Sequence, residues 1–204
     1  MIKNKFYSQI ICTIIYVITF YLAFYFLPDI KSNIWILITI WHIYATLIIY
    51  VFSLLLKNSS LYDPFWSVAP IPIVLYMALN FNNLIEIQLL VLIPILFWGI
   101  RLTHNWLMGW DGFEHEDFRY VDLKNTNKIQ AEINNLFGIH LIPTLIVNFS
   151  LFPISFILLN NISPNISLLL ASIFTIAAVI LETISDKQMR DFKSSPLNKD
   201  KTMK

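Results

Sequence analysis

Basic residues sit on one side of a series of long apolar runs, and this pattern constrains the fold more than any motif. The runs are roughly Tyr7–Leu27, Ile34–Leu56, Phe65–Phe81, Leu84–Thr103, Gly138–Leu159 and Ile166–Ser185. Most approach the ~20 residues a helix needs to cross the hydrocarbon core. With the N-terminus inside, thirteen of the fourteen Lys and Arg fall on the inner side and only Lys31 on the outer. Basic residues resist translocation, so this bias sets orientation. The third run is the shortest and holds Pro70 and Pro72. Omitting it would move Arg101–Lys128 to the other side and spoil the split. The prediction is an all-α polytopic membrane bundle of about six transmembrane helices, one domain over residues 1–204, with both termini cytoplasmic, in the cell membrane.

Composition agrees with that class. The chain is 57% hydrophobic and 13% charged, about half the ~25% charged fraction of a soluble domain. The basic residues sit in juxtamembrane clusters rather than in a patch, so the net charge of +1 gives no sign of a nucleic-acid partner, and membrane lipid is the expected one. The lone Cys12 permits neither an internal disulfide nor a thiolate zinc site, and reads as a small packing residue. Lys3 and Lys5 before an apolar run resemble a secretory leader. That run is too long, and it ends in aromatic residues without a small-residue cleavage site. It reads as an uncleaved first helix.

The outer loops, Pro28–Asn33, Asn80–Asn83 and Asn160–Asn165, are tight turns of Pro, Asn, Asp and Ser. The inner side carries Lys57–Trp66, a long loop from His104 to Gly138, and the tail from Ser185. Any chemistry is therefore expected at the cytoplasmic face, where loops are large enough to hold a site.

Four constellations stand out there. In the first, Asp63-Pro64 reads as a helix start, with Asp capping and Pro at the first turn. Alternatively, Asp63 with Tyr62 forms a polar lip where a ligand enters from the bilayer, beside an interfacial Trp66. In the second, Trp98, Arg101 and Asn105 fall on one helix face. Arg101 is either a snorkelling anchor or points into the protein toward an acid of Asp111–Asp117 or toward Asp63.

The third constellation is Glu114-His115-Glu116-Asp117-Phe118-Arg119-Tyr120, where aromatics interleave with charges. Such a loop can pack down on a membrane face. Its spacing fits no metal motif, and the chain's four His are too few for a histidine-rich di-iron oxygenase, so no metal is expected. The fourth is an acid–acid–base–base stripe, Glu182, Asp186, Arg190 and Lys193, on one helical face. It is either a solvated i,i+4 ladder or a polar wall for an anionic cofactor. In the second case Arg190 and Lys193 face phosphate and the acids accept from hydroxyl or amide groups.

Trp98-Gly99-Ile100-Arg101-Leu102, Glu116-Asp117-Phe118-Arg119-Tyr120 and Asp186-Lys187-Gln188-Met189 with Phe192 together resemble the steroid 5-alpha-reductase-like integral membrane family, over roughly Ser60 to Lys204. The resemblance implies a helical membrane fold with a cytoplasmic-side NADPH cavity. A lipid-like or steroid-like substrate would enter between helices, and hydride would pass to an activated double bond. It places Glu182, Asp186, Arg190 and Lys193 among the cofactor contacts, and Arg101, at a matched motif position, is taken as a further cofactor-binding candidate. Tyr62, Asp63, Trp66, Trp98 and Asn105 fall on the substrate side. Glu116, Asp117, Arg119 and Tyr120 match a motif of unassigned role, and no catalytic residue is identified. The family continues past the Asp-x-Gln-Met turn into an Arg-His-Pro-Asn-Tyr segment and further helices. This chain reads Asn198–Lys204 before that segment, so the expectation is a truncated member, completed if at all by a C-terminal partner fragment. Two other readings stand beside the reductase: a non-catalytic membrane scaffold, and a membrane methyltransferase of the isoprenylcysteine type binding S-adenosylmethionine.

Overall fold

The fold is taken from a computed structural model that describes residues 4–26, 33–81, 84–160 and 162–198. Lys3, Lys31, Lys199, Lys201 and Lys204 of the basic split, and the last six residues of the expected tail, lie outside the described residues.

The described chain is helical, with no strand. Five helical stretches are long and apolar enough to cross a membrane: Lys5–Tyr25, Ile34–Leu56, Ile85–Gly109, Lys128–Ser150 and Ile166–Ser194. The first, α1 (Lys5–Tyr25), begins at Asn4, whose side chain accepts from the Phe6 and Tyr7 amides. The second, α2 (Ile34–Leu56), begins the same way at Asn33. Asparagine suits these positions because its carbonyl satisfies amides left open by the first turn. At its far end α2 stops at Lys57, which adopts a left-handed φ of 53°.

The third expected crossing, Phe65–Phe81, is a broken pair rather than one helix. It consists of α3 (Phe65–Val68) and α4 (Pro70–Asn80). Pro64, Pro70 and Pro72 lack the amide donors a continuous helix needs. Sixteen positions from Phe65 to Asn80 rise only about 24 Å. This pair lies against α5 (Ile85–Gly109). The approach is close at Gly99, where a Cβ would stand 2.7 Å from the Ser67 carbonyl oxygen and 3.0 Å from the Ile71 side chain. The Ser67 and Thr103 hydroxyls meet at 3.1 Å on the same seam.

Helix α5 runs six residues beyond the expected Thr103, so Asn105 lies with Arg101 in one helix rather than in the loop expected from His104. The expected His104–Gly138 loop is thereby shortened. It contains α6 (Phe118–Lys124) and α7 (Lys128–Ile133). The expected crossing Gly138–Leu159 starts earlier, at Lys128. It passes through a π-helical turn, Asn134–Leu141, into α8 (Ile142–Ser150), breaks at Leu151 before Pro153, and continues as α9 (Phe152–Leu159). The last helix, α10 (Ile166–Ser194), extends the sixth run by nine residues and is capped by Asn165. It packs along α5 and is largely exposed elsewhere.

The core lies among α1, α2, α3, α4 and α5, with Phe65, Tyr62, Ile49, Met77 and Ile87 fully buried. Cys12 is buried and unpaired. Polar groups run through this core as well, which matters in a bilayer, where each unsatisfied group is costly.

Candidate functional site

The sequence-predicted residues separate into two places. The first is the seam between α5 and α10. Arg101, with a side chain 9% exposed, donates from Nη2 to the Asp186 carboxylate. Its Nη1 lies 2.7 Å from Glu182 Oε1. The N–H is not aimed along that contact, so its attraction is Coulombic rather than a hydrogen bond. Asn105 donates to the same Asp186 oxygen at 3.1 Å, and Arg190 donates to the Asn105 side-chain oxygen. The expected partners of Arg101, Asp63 or an acid of Asp111–Asp117, are not its partners. The guanidinium does point into the protein, but toward a helix more than 80 residues away in sequence.

Half the α10 stripe is therefore used internally. Glu182 and Asp186 balance a buried cation instead of lining an open wall. Arg190 and Lys193 remain exposed. Trp98, on the same face of α5, packs edge-on against Trp66 with ring centroids 5.9 Å apart.

The second place is the cap over the end of the bundle, where residues 58–63 are stitched to residues 113–124. Asn58 donates to the Phe113 and His115 carbonyls at 3.2 and 3.1 Å. The Ser59 amide donates to Glu116 Oε1 at 2.5 Å, and Lys124 pairs with the same carboxylate. The Asp117 amide donates to Ser60 Oγ at 2.8 Å. Asp117 caps α6 and forms a two-point pair with Arg119, with Nε at 2.8 Å and Nη2 at 2.6 Å. That pairing holds the Asp117 carboxyl below its ordinary range. Arg119 also lies over the Tyr120 ring, 5.8 Å from its centroid.

Asp63 does not cap a helix. No side chain caps α3, and the Asp63 carboxylate instead accepts from the Tyr120 hydroxyl. Burial pushes the Asp63 carboxyl up to about 6, with the Tyr120 bond opposing and the nearby Asp117 charge adding to it. Burial, followed by the Asp63 charge, drives the Tyr120 phenol well above its usual value, so it stays protonated. Asp63 lines a cleft of about 250 Å³ with Ser60, Trp106, Trp110, Glu116 and Asp117. Tyr62 does not share that cleft, contrary to the expected lip. It is 1% exposed and its hydroxyl meets Thr144 Oγ1 at 2.8 Å inside the bundle.

Tyr62 belongs to a buried polar ladder that the sequence reading missed. Thr46 Oγ1 meets Thr144 Oγ1 at 2.8 Å, and His42 Nδ1 meets Asn148 Oδ1 at 3.4 Å. Asn148 donates to Thr39 Oγ1 at 2.9 Å. One turn away, His140 Nδ1 meets the Asn135 carbonyl at 2.8 Å, and its Nε2 meets Ser53 Oγ at 3.2 Å. That carbonyl can only accept, so His140 carries its proton on Nδ1 and its Nε2 accepts from Ser53. His42 and His140 were weighed only as metal ligands. The available signal was their place inside apolar runs, where ionisable residues usually serve a purpose. Among the described residues no group of three or more His, Cys, Asp or Glu is arranged to hold a metal ion.

On the membrane side, a groove of about 250 Å³ opens between α1, α2 and α4. Its walls are apolar: Phe20, Phe24, Ile38, Trp41, Ile73 and Tyr76 are the main contributors. Within this lining Phe20 stacks on Trp41, ring centroids 5.5 Å apart.

No curated protein and no solved structure matches this chain. A family model covers residues 49–204, about three quarters of the chain, so the chain belongs to the family described as Protein of unknown function (DUF1295).

Proposed function

We propose that this protein is a membrane oxidoreductase of the steroid 5-alpha-reductase type, which reduces a double bond in a lipid-like molecule with NADPH. The observation that carries the reading is the apolar groove between α1, α2 and α4, a space for a hydrophobic body within the span of the bundle. The kinship of the family with steroid 5-alpha-reductases supports the reaction class.

The chain's own residues fit a dinucleotide in part. Arg190 and Lys193 are exposed on one face of α10, and two cations so placed suit a phosphate. Bound NADPH supplies hydride to one carbon of the double bond. The other carbon needs a proton, and the Asp63–Tyr120 pair can hold one near neutral pH at the same end of the bundle. Arg101 keeps α10 in register with α5 through Asp186 and so positions Arg190.

A second reading, a non-catalytic scaffold, draws on the mutual satisfaction of Arg101, Glu182 and Asp186. The test is NADPH oxidation by the full-length protein in nanodiscs with a lipid enone. Loss of absorbance dependent on the enone, abolished by Ile38→Trp in the groove, supports the reductase. Oxidation absent with every lipid enone offered, or indifferent to Ile38→Trp, contradicts it.

A further inference from the structure

Trp41 puts an indole in the wall of the apolar groove. The residue is only 9% exposed, and a tryptophan so buried ordinarily gives its N–H to an acceptor. Among the described residues, Trp41 Nε1 has no such partner. The atom is also not sealed in. The indole nitrogens that are both buried and unpartnered belong to Trp106 and Trp110, not to Trp41. The Trp41 N–H therefore reaches open space, and the open space that Trp41 lines is the groove.

The stack with Phe20 fixes how that N–H is presented. The two rings lie 21° from parallel. Phe20 thus covers a face of the indole, while the N–H lies in the ring plane, at its edge. An indole N–H donates and cannot accept. Around it the walls are hydrocarbon from Phe20, Ile38 and Ile73, and the other polar side chain of the lining is Tyr76, which is 39% exposed. None of the described lining residues is charged.

We propose that the Trp41 N–H recognises the neutral carbonyl oxygen of a lipid whose apolar body occupies this groove. This rests on the reading of the groove as the substrate site and names the group by which that site knows a lipid enone. A carbonyl oxygen accepts and brings no proton of its own, so one donor satisfies it. An alcohol could accept the same N–H, but its own proton would then need an acceptor in walls of hydrocarbon. A carboxylate or an ammonium would lose its hydration with no counter-charge beside it. The groove is smaller than the ~300–1,000 Å³ that encloses a drug-sized ligand, so the rest of the body stays in the bilayer.

The experiment uses the full-length protein in nanodiscs and two photoactivatable probes, a long-chain diazirine ketone and the analogue with a methylene in place of the carbonyl. The ketone is expected to label groove residues with about fivefold higher affinity than the analogue, or about 1 kcal/mol. In the unaltered protein the 15N–1H signal of the Trp41 indole should move downfield with the ketone and stay in place with the analogue. Trp41→Phe keeps an aromatic ring against Phe20 and removes the N–H, so it should bring the two probes to equal labelling. Tyr76→Phe should leave the preference for ketone in place. Equal labelling by the two probes in the unaltered protein overturns the carbonyl assignment, and no variant is needed to see it. A preference that survives Trp41→Phe, or that Tyr76→Phe abolishes, overturns the choice of Trp41. Ile38→Trp separates this claim from the one it rests on. If it leaves labelling intact, the groove reading fails. If it abolishes labelling while ketone and analogue are not distinguished, only the carbonyl assignment fails.

Discussion

Arg101 on α5 and Asp186 on α10 form a direct ion pair across 85 positions of sequence, and this pair joins the last long helix to the bundle. The guanidinium is 9% exposed, whereas Asp186 and Glu182 are 37% and 48% exposed. The two sides of the pair are therefore not equivalent. Removing the acids strands a buried cation, while removing the arginine leaves carboxylates that water can reach.

That asymmetry is measurable. Glu182→Gln combined with Asp186→Asn should cost about 3 kcal/mol, near the lower end for an uncompensated buried charge. Arg101→Met, which keeps the apolar stem, should cost about 1 kcal/mol or less. Denaturation of the purified variants in detergent gives the order, and a larger loss for Arg101→Met would contradict it.

Asp63 should make stability fall as pH rises. Its carboxyl is raised above the ordinary carboxylate value to about 6, so the folded state holds the proton more tightly than the unfolded state. The folded state is favoured below the unfolded value, and this contribution is lost as pH climbs through about 6. Asp63→Asn can still accept from Tyr120 and has no charge to bury. It should stabilise the protein at pH 7.5 by about 1–2 kcal/mol relative to its effect at pH 4.5. Melting temperatures that respond to pH identically in the two proteins would contradict the assignment.

Gly99 should tolerate no side chain. A Cβ there meets the Ser67 backbone oxygen at 2.7 Å, and backbone cannot rotate away as a flexible side chain can. Gly99→Ala should cost about 1–3 kcal/mol through separation of α3 and α5. An unchanged melting temperature would show that the seam has slack.

Much of this architecture was legible in the sequence because it follows from one-dimensional patterns. Apolar length pointed to the five stretches long enough to cross a membrane, while the sixth expected crossing, Phe65–Phe81, is broken, and α2 has the expected bounds Ile34–Leu56. Helical spacing gave the stripe from Glu182 to Lys193 and the face shared by Trp98, Arg101 and Asn105. What could not be read was pairing between distant elements. Nothing local distinguishes Asp186 from Asp63 as a partner for Arg101, since both are acids near the same end of the bundle. Asp63-Pro64 reads as a cap from its neighbours alone, and only the fold brings Tyr120 to take the carboxylate. The break between α3 and α4 was signalled by Pro70 and Pro72. The π-helical turn at Asn134–Leu141 had no such marker, because it depends on His140 reaching back to Asn135 within the assembled core.

Sidedness follows from the basic residues and can be checked directly. In a Cys12→Ser background, a cysteine at Lys124 should react with an impermeant thiol reagent only from the cytoplasmic side. One at Asn80 should react only from the opposite side. Reaction of the Asn80 position from the cytoplasmic side and of the Lys124 position from the opposite side would remove the crossing formed by α3 and α4, and reaction of both from one side would remove that of α5.

The proposed reaction is tested most directly by following the hydride. The full-length protein in nanodiscs is supplied with a lipid extract and NADPH carrying deuterium on the transferable position, and the lipids are analysed by mass spectrometry. A lipid product that has gained one deuterium and one proton across a double bond is the predicted result, with a rate at least tenfold lower in Arg190→Ala at subsaturating NADPH, or about 1.4 kcal/mol. No deuterium in any lipid, under conditions where the protein remains folded, would contradict the account of this chain as a reductase.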